Sequence, residues 1–193
     1  MKRDVIMIKP LTSSFLSCEK DTETILRKLF VESRPYCDTL KRLMVIQTKD
    51  CLDEKNVNYK NTIDKYSVSK LIEEDYILLA PKIKFEEHEE KKSYLVLSFN
   101  NFTPNETNPE FRDHTITFDI VCHTDCWDIG NFQQRPLKIM GYIDGILNNS
   151  KLSGIGEVKF FGAKELIINE ELSGYTLTYW VINGSDDQIP NDE

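Results

Sequence analysis

Most of residues 114–122 alternate between apolar and polar side chains, and this pattern limits the folds that the chain can adopt. Ile116, Phe118 and Ile120 point to one side of an extended chain, and the residues between them are polar. A period of two is typical of a β-strand with one buried face. We therefore predict a strand over 114–122 whose apolar side lies in the core.

Other apolar stretches predict further strands of the same sheet. They cover residues 76–85, 94–99, 157–161, 165–168 and 175–182. The turns that separate them are predicted at 86–92, 162–164 and 170–174. Short turns imply antiparallel pairing. Residues 101–113 are rich in Asn and Pro, and we predict a long loop there that projects as an arm.

Segments with helical periodicity precede the predicted strands, and one further such segment lies between two of the strands. We predict helices over 21–31 and 38–47, the second capped by Asp38, and one or two helical turns over 69–74. The long helix of the C-terminal half is predicted at 135–148, where Arg135 and Pro136 open an apolar stripe that includes Ile139 and Ile143. The fold class is therefore α+β, a mostly antiparallel sheet packed by this helix and by the N-terminal helices.

The chain has 193 residues and is 40% hydrophobic, which suits one domain with a substantial core. Residues 50–66 are polar and lack a clear period. We predict an insertion or long connection around 50–80, and a disordered acidic tail at 185–193.

The net charge of −8 is divided unevenly along the chain. Residues 1–50 sum to +3, and residues 51–193 sum to −11. Tight binding to duplex DNA usually requires a basic face, so we expect no sequence-specific DNA binding. An acidic wall past which DNA slides without sticking remains compatible with this charge.

Cysteine usage and hydropathy predict a protein of the cytosol. The five cysteines are odd in number and scattered, which favours reduced thiols. The apolar runs are far shorter than the roughly 18 residues of a membrane span. The N-terminal apolar segment is interrupted by Lys9 and Pro10, so we expect neither secretion nor membrane contact.

Two clusters could in principle carry chemistry. Cys122, His123 and Cys126, with His114 upstream, contain zinc-ligand residue types, but no second pair follows at the spacing of a zinc finger. The acids Asp119, Asp125 and Asp128, together with His123, could form a metal-dependent enzyme site. Common nucleophile, phosphate-loop and metalloprotease motifs are missing from the sequence. We therefore predict a protein that is not an enzyme and has no cofactor or metal.

Large aromatic side chains in predicted loops favour assembly, because exposed aromatics tend to mark protein interfaces. The residues that we predict to form an interface are Phe102, Phe111, Arg112, Trp127, Phe132 and Trp180.

The strand 116–123, the helix 135–147 and the closing strand 175–182 follow one another in an order that resembles the tail-terminator, or tail-completion, proteins of long-tailed phages. The resemblance implies a virion structural subunit, made in the host cytoplasm, that forms a ring at the head–tail junction. It implies a hexamer, with a dodecamer as the alternative. The expected partners are the tail-tube protein and the head connector, with DNA passing through the lumen. Two alternatives stay open: another connector or adaptor ring of the phage neck, and a metal-dependent enzyme that acts on nucleic acid.

Overall fold

A computed structural model describes residues 14–53, 55, 57–80, 91–104, 112–152 and 156–182. Four sequence predictions lie wholly or partly outside these residues. They are the 81–85 part of the strand predicted over 76–85, most of the turn over 86–92, the 105–111 part of the loop predicted over 101–113, and the acidic tail over 185–193.

The described residues contain five α-helices of modest length. They are α1 (Ser14–Arg27), α2 (Tyr36–Val45), α3 (Val57–Ile63), α4 (Val68–Glu73) and α5 (Arg135–Leu147). A π-helical turn (Lys28–Glu32) extends α1. No single long helix stands out, since α1 has 14 residues and α5 has 13. Among the described segments, no helix has the length and apolar character needed to cross a bilayer.

Six strands form one sheet, in the order β1-β2-β3-β6-β5-β4. Their bounds are β1 (Ile77–Leu78), β2 (Ser93–Pro104), β3 (Arg112–His123), β4 (Ser150–Leu152), β5 (Gly156–Ile167) and β6 (Leu172–Ile182). Only β1 pairs in parallel, with β2, and the other named pairs are antiparallel. The predicted α+β class with a mostly antiparallel sheet is confirmed.

The alternation in β3 sets the two faces of the sheet. Phe118 pairs with Leu97 on β2 and with Leu177 on β6, so apolar side chains form a row across three strands. All three are buried. The neighbouring row includes Ile116 and Tyr179, and the latter donates a hydrogen bond to Asp144 of α5 at 3.1 Å. The core therefore lies between this face and the helices.

Among the described residues, α2, α4 and α5 contact the sheet, and α4 does so at β1. Helix α5 packs on β3, β5 and β6, and α2 packs on β2 and on α5. Ile139 and Ile143 of α5 are fully buried, as the predicted stripe requires. The helix layer thus places the start of α5 against the end of α2.

Three local predictions are wrong. The predicted turn at 162–164 is part of β5, which continues to Ile167 and absorbs the irregularity as a bulge between Phe160 and Gly162. Pairing with β6 over its whole length outweighs the turn propensity of these residues. Asp38 is not the cap of α2, because the helix begins at Tyr36. The prediction of a loop over 101–113 is wrong at both ends, because β2 runs to Pro104 and β3 begins at Arg112.

Residues 50–80 contain α3, α4 and β1. They contribute Cys51, Ile63, Leu71 and Ile77 to the same core cluster as the sheet. The single-domain prediction, with its insertion around these residues, stays a prediction. The predicted helical turns over 69–74 are confirmed by α4, which a Ser67 hydroxyl caps by accepting a hydrogen bond from the Lys70 amide.

Candidate interaction site around Arg135 and Phe132

Arg135 is the first residue of α5, and its side chain is completely buried. A buried guanidinium needs hydrogen-bond acceptors for its donors, since an unpaired buried charge is strongly destabilising. Four backbone carbonyl oxygens supply them. Nε donates to Cys126 at 2.7 Å, Nη1 donates to Leu43 at 2.6 Å and Ile46 at 2.8 Å, and Nη2 donates to Thr48 at 3.0 Å.

Three of these carbonyls lie at or just beyond the end of α2. Helix ends leave carbonyl groups without intrahelical partners, and the end of the helix dipole carries partial negative charge. The guanidinium therefore caps α2 from a residue almost 90 positions away in the chain. Arg135 ties the end of α2 to the start of α5, and we call this arrangement the Arg135 clamp.

Buried thiols surround the Arg135 clamp. Cys51, Cys122 and Cys126 are all buried. Burial raises the pKa of each thiol, and for Cys122 it raises the pKa to about 12. A thiol with a raised pKa holds little of the reactive thiolate, so these cysteines pack as small apolar groups.

In the 122–126 segment, His123 makes a side-chain hydrogen bond with the backbone. The His123 Nδ1 atom accepts a hydrogen bond from the Asp125 amide at 3.2 Å and so caps the short 3-10 turn Thr124–Cys126. His114, upstream on β3, stacks on Phe102 with ring centroids 5.6 Å apart. Within the described ranges, no group of three or more His, Cys, Asp or Glu side chains is arranged to hold a metal ion.

The three acids of the hypothetical enzyme site have separate partners. Asp119 accepts a hydrogen bond from the Thr176 hydroxyl at 2.6 Å. Asp125 pairs with Lys91, and Asp128 pairs with Lys49, each at 2.6 Å. Hydrogen bonds from these lysines lower the pKa of both carboxyl groups. The structure therefore does not gather the acids around one centre.

Three of the predicted interface aromatics are partly buried against other rings. Phe102 lies on His114, Trp127 lies 6.2 Å from Tyr175, and Trp180 lies 6.4 Å from Phe161. The Trp127 indole also donates a hydrogen bond to the Cys122 carbonyl at 3.3 Å. Phe111 and the side chain of Arg112 are outside the described residues. The role of these residues in an interface stays a prediction.

Phe132 differs from these aromatics, because its side chain is 108% exposed, as open as in an extended peptide. It lies in a tight turn over residues 128–134, which we call the Phe132 loop. An isolated β-bridge joins Asp128 to Gln134 at the base of this loop. The Gln133 amide donates to the Gly130 carbonyl at 2.9 Å. The phenyl ring therefore stands on a loop with a defined internal structure.

The backbone of the Phe132 loop is left-handed at three consecutive residues. The φ angles are +77° at Gly130, +51° at Asn131 and +60° at Phe132. Glycine and asparagine tolerate this region, whereas a bulky side chain pays about 1–2 kcal/mol for it. Strained residues of this kind cluster at functional sites. The sequence analysis placed Phe132 in a predicted loop as a candidate interface aromatic, but it did not predict this backbone conformation.

A second exposed apolar surface lies on β5 and was missed by the sequence analysis. Phe161 is 69% exposed and Ile167 is 68% exposed, and Phe160 is about half exposed. Strand β4 pairs only with residues 156–158 of β5, so β5 residues 161–167 have no outer partner strand among the described residues. We call this surface the β5 edge. The adjacent Phe160 and Phe161 could have indicated this surface. Neighbouring strand residues point to opposite faces, so both phenyl rings cannot face the same core.

A groove of about 460 Å³ opens beside β2, on the side of α1. Its lining combines apolar side chains with uncharged polar ones and a single acid. The residues are Glu19, Thr22, Leu79, Leu97, Ser98, Phe99 and Asn100. We call it the β2 groove.

Comparison with known proteins gives one family. No curated protein matches the chain. A family model described as YomW matches residues 38–181, from within α2 to the end of β6, and so covers the Arg135 clamp, the Phe132 loop and the β5 edge. The match extends over about three quarters of the sequence, and this chain therefore belongs to the phage-associated YomW family.

Proposed function

We propose that this protein is a structural subunit of a tailed-phage virion, one that forms a ring at the head–tail junction as a tail terminator or tail-completion protein. The observation that carries the proposal is the presence of two separate exposed apolar surfaces, the Phe132 loop and the β5 edge. A ring subunit needs two different contact surfaces, because each copy touches one neighbour on either side. Membership of a phage-associated family supports the virion setting.

The β5 edge is unlike the edge strand of a typical monomer. Proteins that stay monomeric usually protect open edges with charges, prolines or a covering segment. Lys159, Lys164 and Glu165 do place charge on β5, but Phe161 and Ile167 remain open beside them. An interface that buries both side chains would remove this apolar area from water.

The charge distribution suits a ring around DNA. The sequence from residue 51 onward carries the −11 that dominates the net charge of −8. Phosphates are repelled by such a surface, so DNA would pass the lumen without being retained. The partners in this proposal are copies of the chain, the tail-tube protein and the head connector.

Electron microscopy and phage genetics test the proposal together. Purified protein, alone or with tail tubes, should give rings in negative-stain images, with six subunits for a terminator. Twelve subunits would favour another neck connector or adaptor. Deletion of the gene should yield separate heads and tails, and the protein should be found in intact virions. Normal virions from the deletion strain would overturn the proposal.

Matched variants connect this test to the structure. Phe161→Ser should weaken ring formation, because it removes the most exposed apolar side chain of β5. Leu137→Gln, on the surface of α5, serves as the control, since Leu137 is also exposed but lies on neither surface. If bound metal were found by elemental analysis together with nuclease activity, the enzyme alternative would replace the structural one.

A further inference from the structure

A groove of about 530 Å³ lies between α1 and β4, and its lining is basic. The lining residues are Lys20, Glu23, Thr24, Arg27, Lys28, Glu32, Lys151 and Leu152. Four of them are cations and two are acids, so the lining sums to +2 in a chain whose net charge is −8. We call it the α1–β4 groove. A positive surface on an acidic protein favours a negatively charged occupant.

The arginine of the groove has carboxylate partners, whereas its three lysines have none among the described residues. Arg27 pairs with Glu23 at 3.9 Å and with Glu32 at 3.5 Å, so both acids of the groove are engaged by the arginine. The lysines without an ion pair are Lys20, Lys28 and Lys151. Three unpaired cations that share one groove favour an occupant with several carboxylates.

The register of the sheet brings the end of β6 close to this groove. Ile182 pairs with Glu157 of β5, and Lys151 of β4 pairs with the same residue. Because neighbouring strands lie about 4.8 Å apart, Ile182 and Lys151 are separated by roughly 10 Å. The Glu157 carboxylate contacts Lys159 at 3.1 Å and does not neutralise Lys151. The chain therefore leaves the sheet beside an unpaired lysine of the groove.

The sequence that follows Ile182 is acidic and long enough to reach across the groove. Its charged residues are Asp186, Asp187, Asp192 and Glu193. Asp186 is four residues beyond Ile182, which allows a reach of about 13 Å, and residues 183–193 can extend over about 36 Å. Lys20 and Lys28 are separated by about 12 Å along the helix axis. Both the distance and the charge suit this segment as the occupant.

We propose that residues 183–193 bind in the α1–β4 groove of their own chain. Asp186 and Asp187 lie nearest the point of attachment and pair with Lys151, and the two later acids pair with the lysines of α1. Exposed ion pairs are individually weak. A short tether, however, gives the segment an effective concentration on the order of millimolar at its own groove. This contact extends the prediction of a disordered acidic tail, because a segment without regular structure of its own can bind through its charges.

The contact has a consequence for the edge of the sheet. Strand β4 is an edge strand, and uncovered edge strands pair readily with other chains. A segment that lies against β4 protects this part of the edge. The β5 edge over residues 161–167 is beyond the pairing with β4 and stays open for the proposed ring. The contact itself does not rest on the ring, since it is made within one chain.

Zero-length cross-linking of the full chain tests the contact. A carbodiimide couples a carboxylate to a lysine amine only where the two groups touch, and mass spectrometry identifies the joined peptides. Acids of residues 183–193 should be linked to Lys20, Lys28 and Lys151 at low salt. The links should be lost at high salt, because exposed charges are screened. A mixture of isotope-labelled and unlabelled protein separates links within one chain from links between chains.

Charge reversal at Lys151 gives a comparison that the cross-link chemistry itself does not bias. Lys151→Glu should lower the yield of links to the unchanged Lys20 and Lys28 by about threefold or more, since one exposed attraction becomes a repulsion. Adding Asp186→Lys and Asp187→Lys to this variant should restore those links. Lys60→Glu is the matched control, because Lys60 is exposed, has no ion pair among the described residues and lies outside the groove. Circular dichroism checks that each variant folds.

Four results would overturn the proposal. They are the absence of links to the groove at low salt, links that form mainly between labelled and unlabelled chains, equal yields from Lys151→Glu and wild type, and a folded charge-swapped variant that does not regain the links. Loss of the links on addition of equimolar duplex DNA would instead assign the groove to nucleic acid. A protein that forms no rings can still give every expected link, so failure of the proposed function is distinguishable from failure of this contact.

Discussion

Arg135 and Phe132 are three residues apart, and each occupies the environment that usually suits the other. The charged side chain is fully buried and donates hydrogen bonds to four carbonyls, whereas the phenyl ring is fully exposed. The arginine is satisfied within its own chain, because the end of α2 supplies acceptors. The phenylalanine ring, by contrast, is not buried by its own chain. The comparison separates a residue whose side chain is satisfied within its own chain from one whose exposed ring is open to the partner that we propose.

Replacement of Arg135 should give the largest effect. Arg135→Met leaves the carbonyls of Leu43, Ile46 and Cys126 buried without donors. We expect the free energy of unfolding to fall by about 3–5 kcal/mol. Urea denaturation measures this loss.

Two further variants test whether the loss of stability comes from the hydrogen bonds of the Arg135 guanidinium. Arg135→Lys keeps the charge but not the forked donors, so it should lose about 1–3 kcal/mol. Lys138→Met, one turn further along α5 and only partly buried, should change stability by less than about 0.5 kcal/mol. Equal stability of Arg135→Met and Lys138→Met would show that the clamp does not hold the fold.

Replacement of Phe132 should have a smaller effect of opposite sign. Asparagine tolerates left-handed backbone, so Phe132→Asn should raise the free energy of unfolding of the monomer by about 1 kcal/mol. Phe132→Ala removes the ring but keeps the unfavourable backbone, and it should give no such gain. Thermal unfolding at concentrations below assembly measures both. A loss of stability in Phe132→Asn would mean that the ring contributes to the fold of its own chain.

The sequence analysis located the elements whose patterns are local. The alternation around Phe118 and the stripe through Ile139 and Ile143 recur along the segment itself, so β3 and α5 were predicted nearly to their ends. Strand β5 was divided by mistake, because the residues near Gly162 favour a turn in isolation. Their pairing with β6 depends on residues that lie further along the chain.

Only part of the candidate site could be predicted from the sequence. Phe132 was named as an interface residue because it is a large aromatic in a predicted loop, but its left-handed backbone depends on the closed loop. The Arg135 clamp was missed, since its acceptors come from residues 43, 46, 48 and 126. One signal was present. An arginine in the first turn of a helix opposes the helix dipole, so its charge must be compensated elsewhere.

The smallest expected effect concerns the ion pair at the base of the Phe132 loop, which contrasts with the buried clamp because both partners are exposed. The Lys49 hydrogen bond lowers the pKa of Asp128, so this carboxylate stabilises the fold above its ordinary pKa of about 3.9. The contribution is lost as the pH falls through the lower folded-state pKa. Wild type should therefore melt slightly above Asp128→Asn at neutral pH, and the difference should vanish in acid. It should also shrink at high salt, because exposed charges are screened. A difference in melting temperature that persists unchanged in acid would show that the charge of Asp128 is not its cause, since an amide at this position still accepts the Gly130 hydrogen bond but carries no charge to titrate.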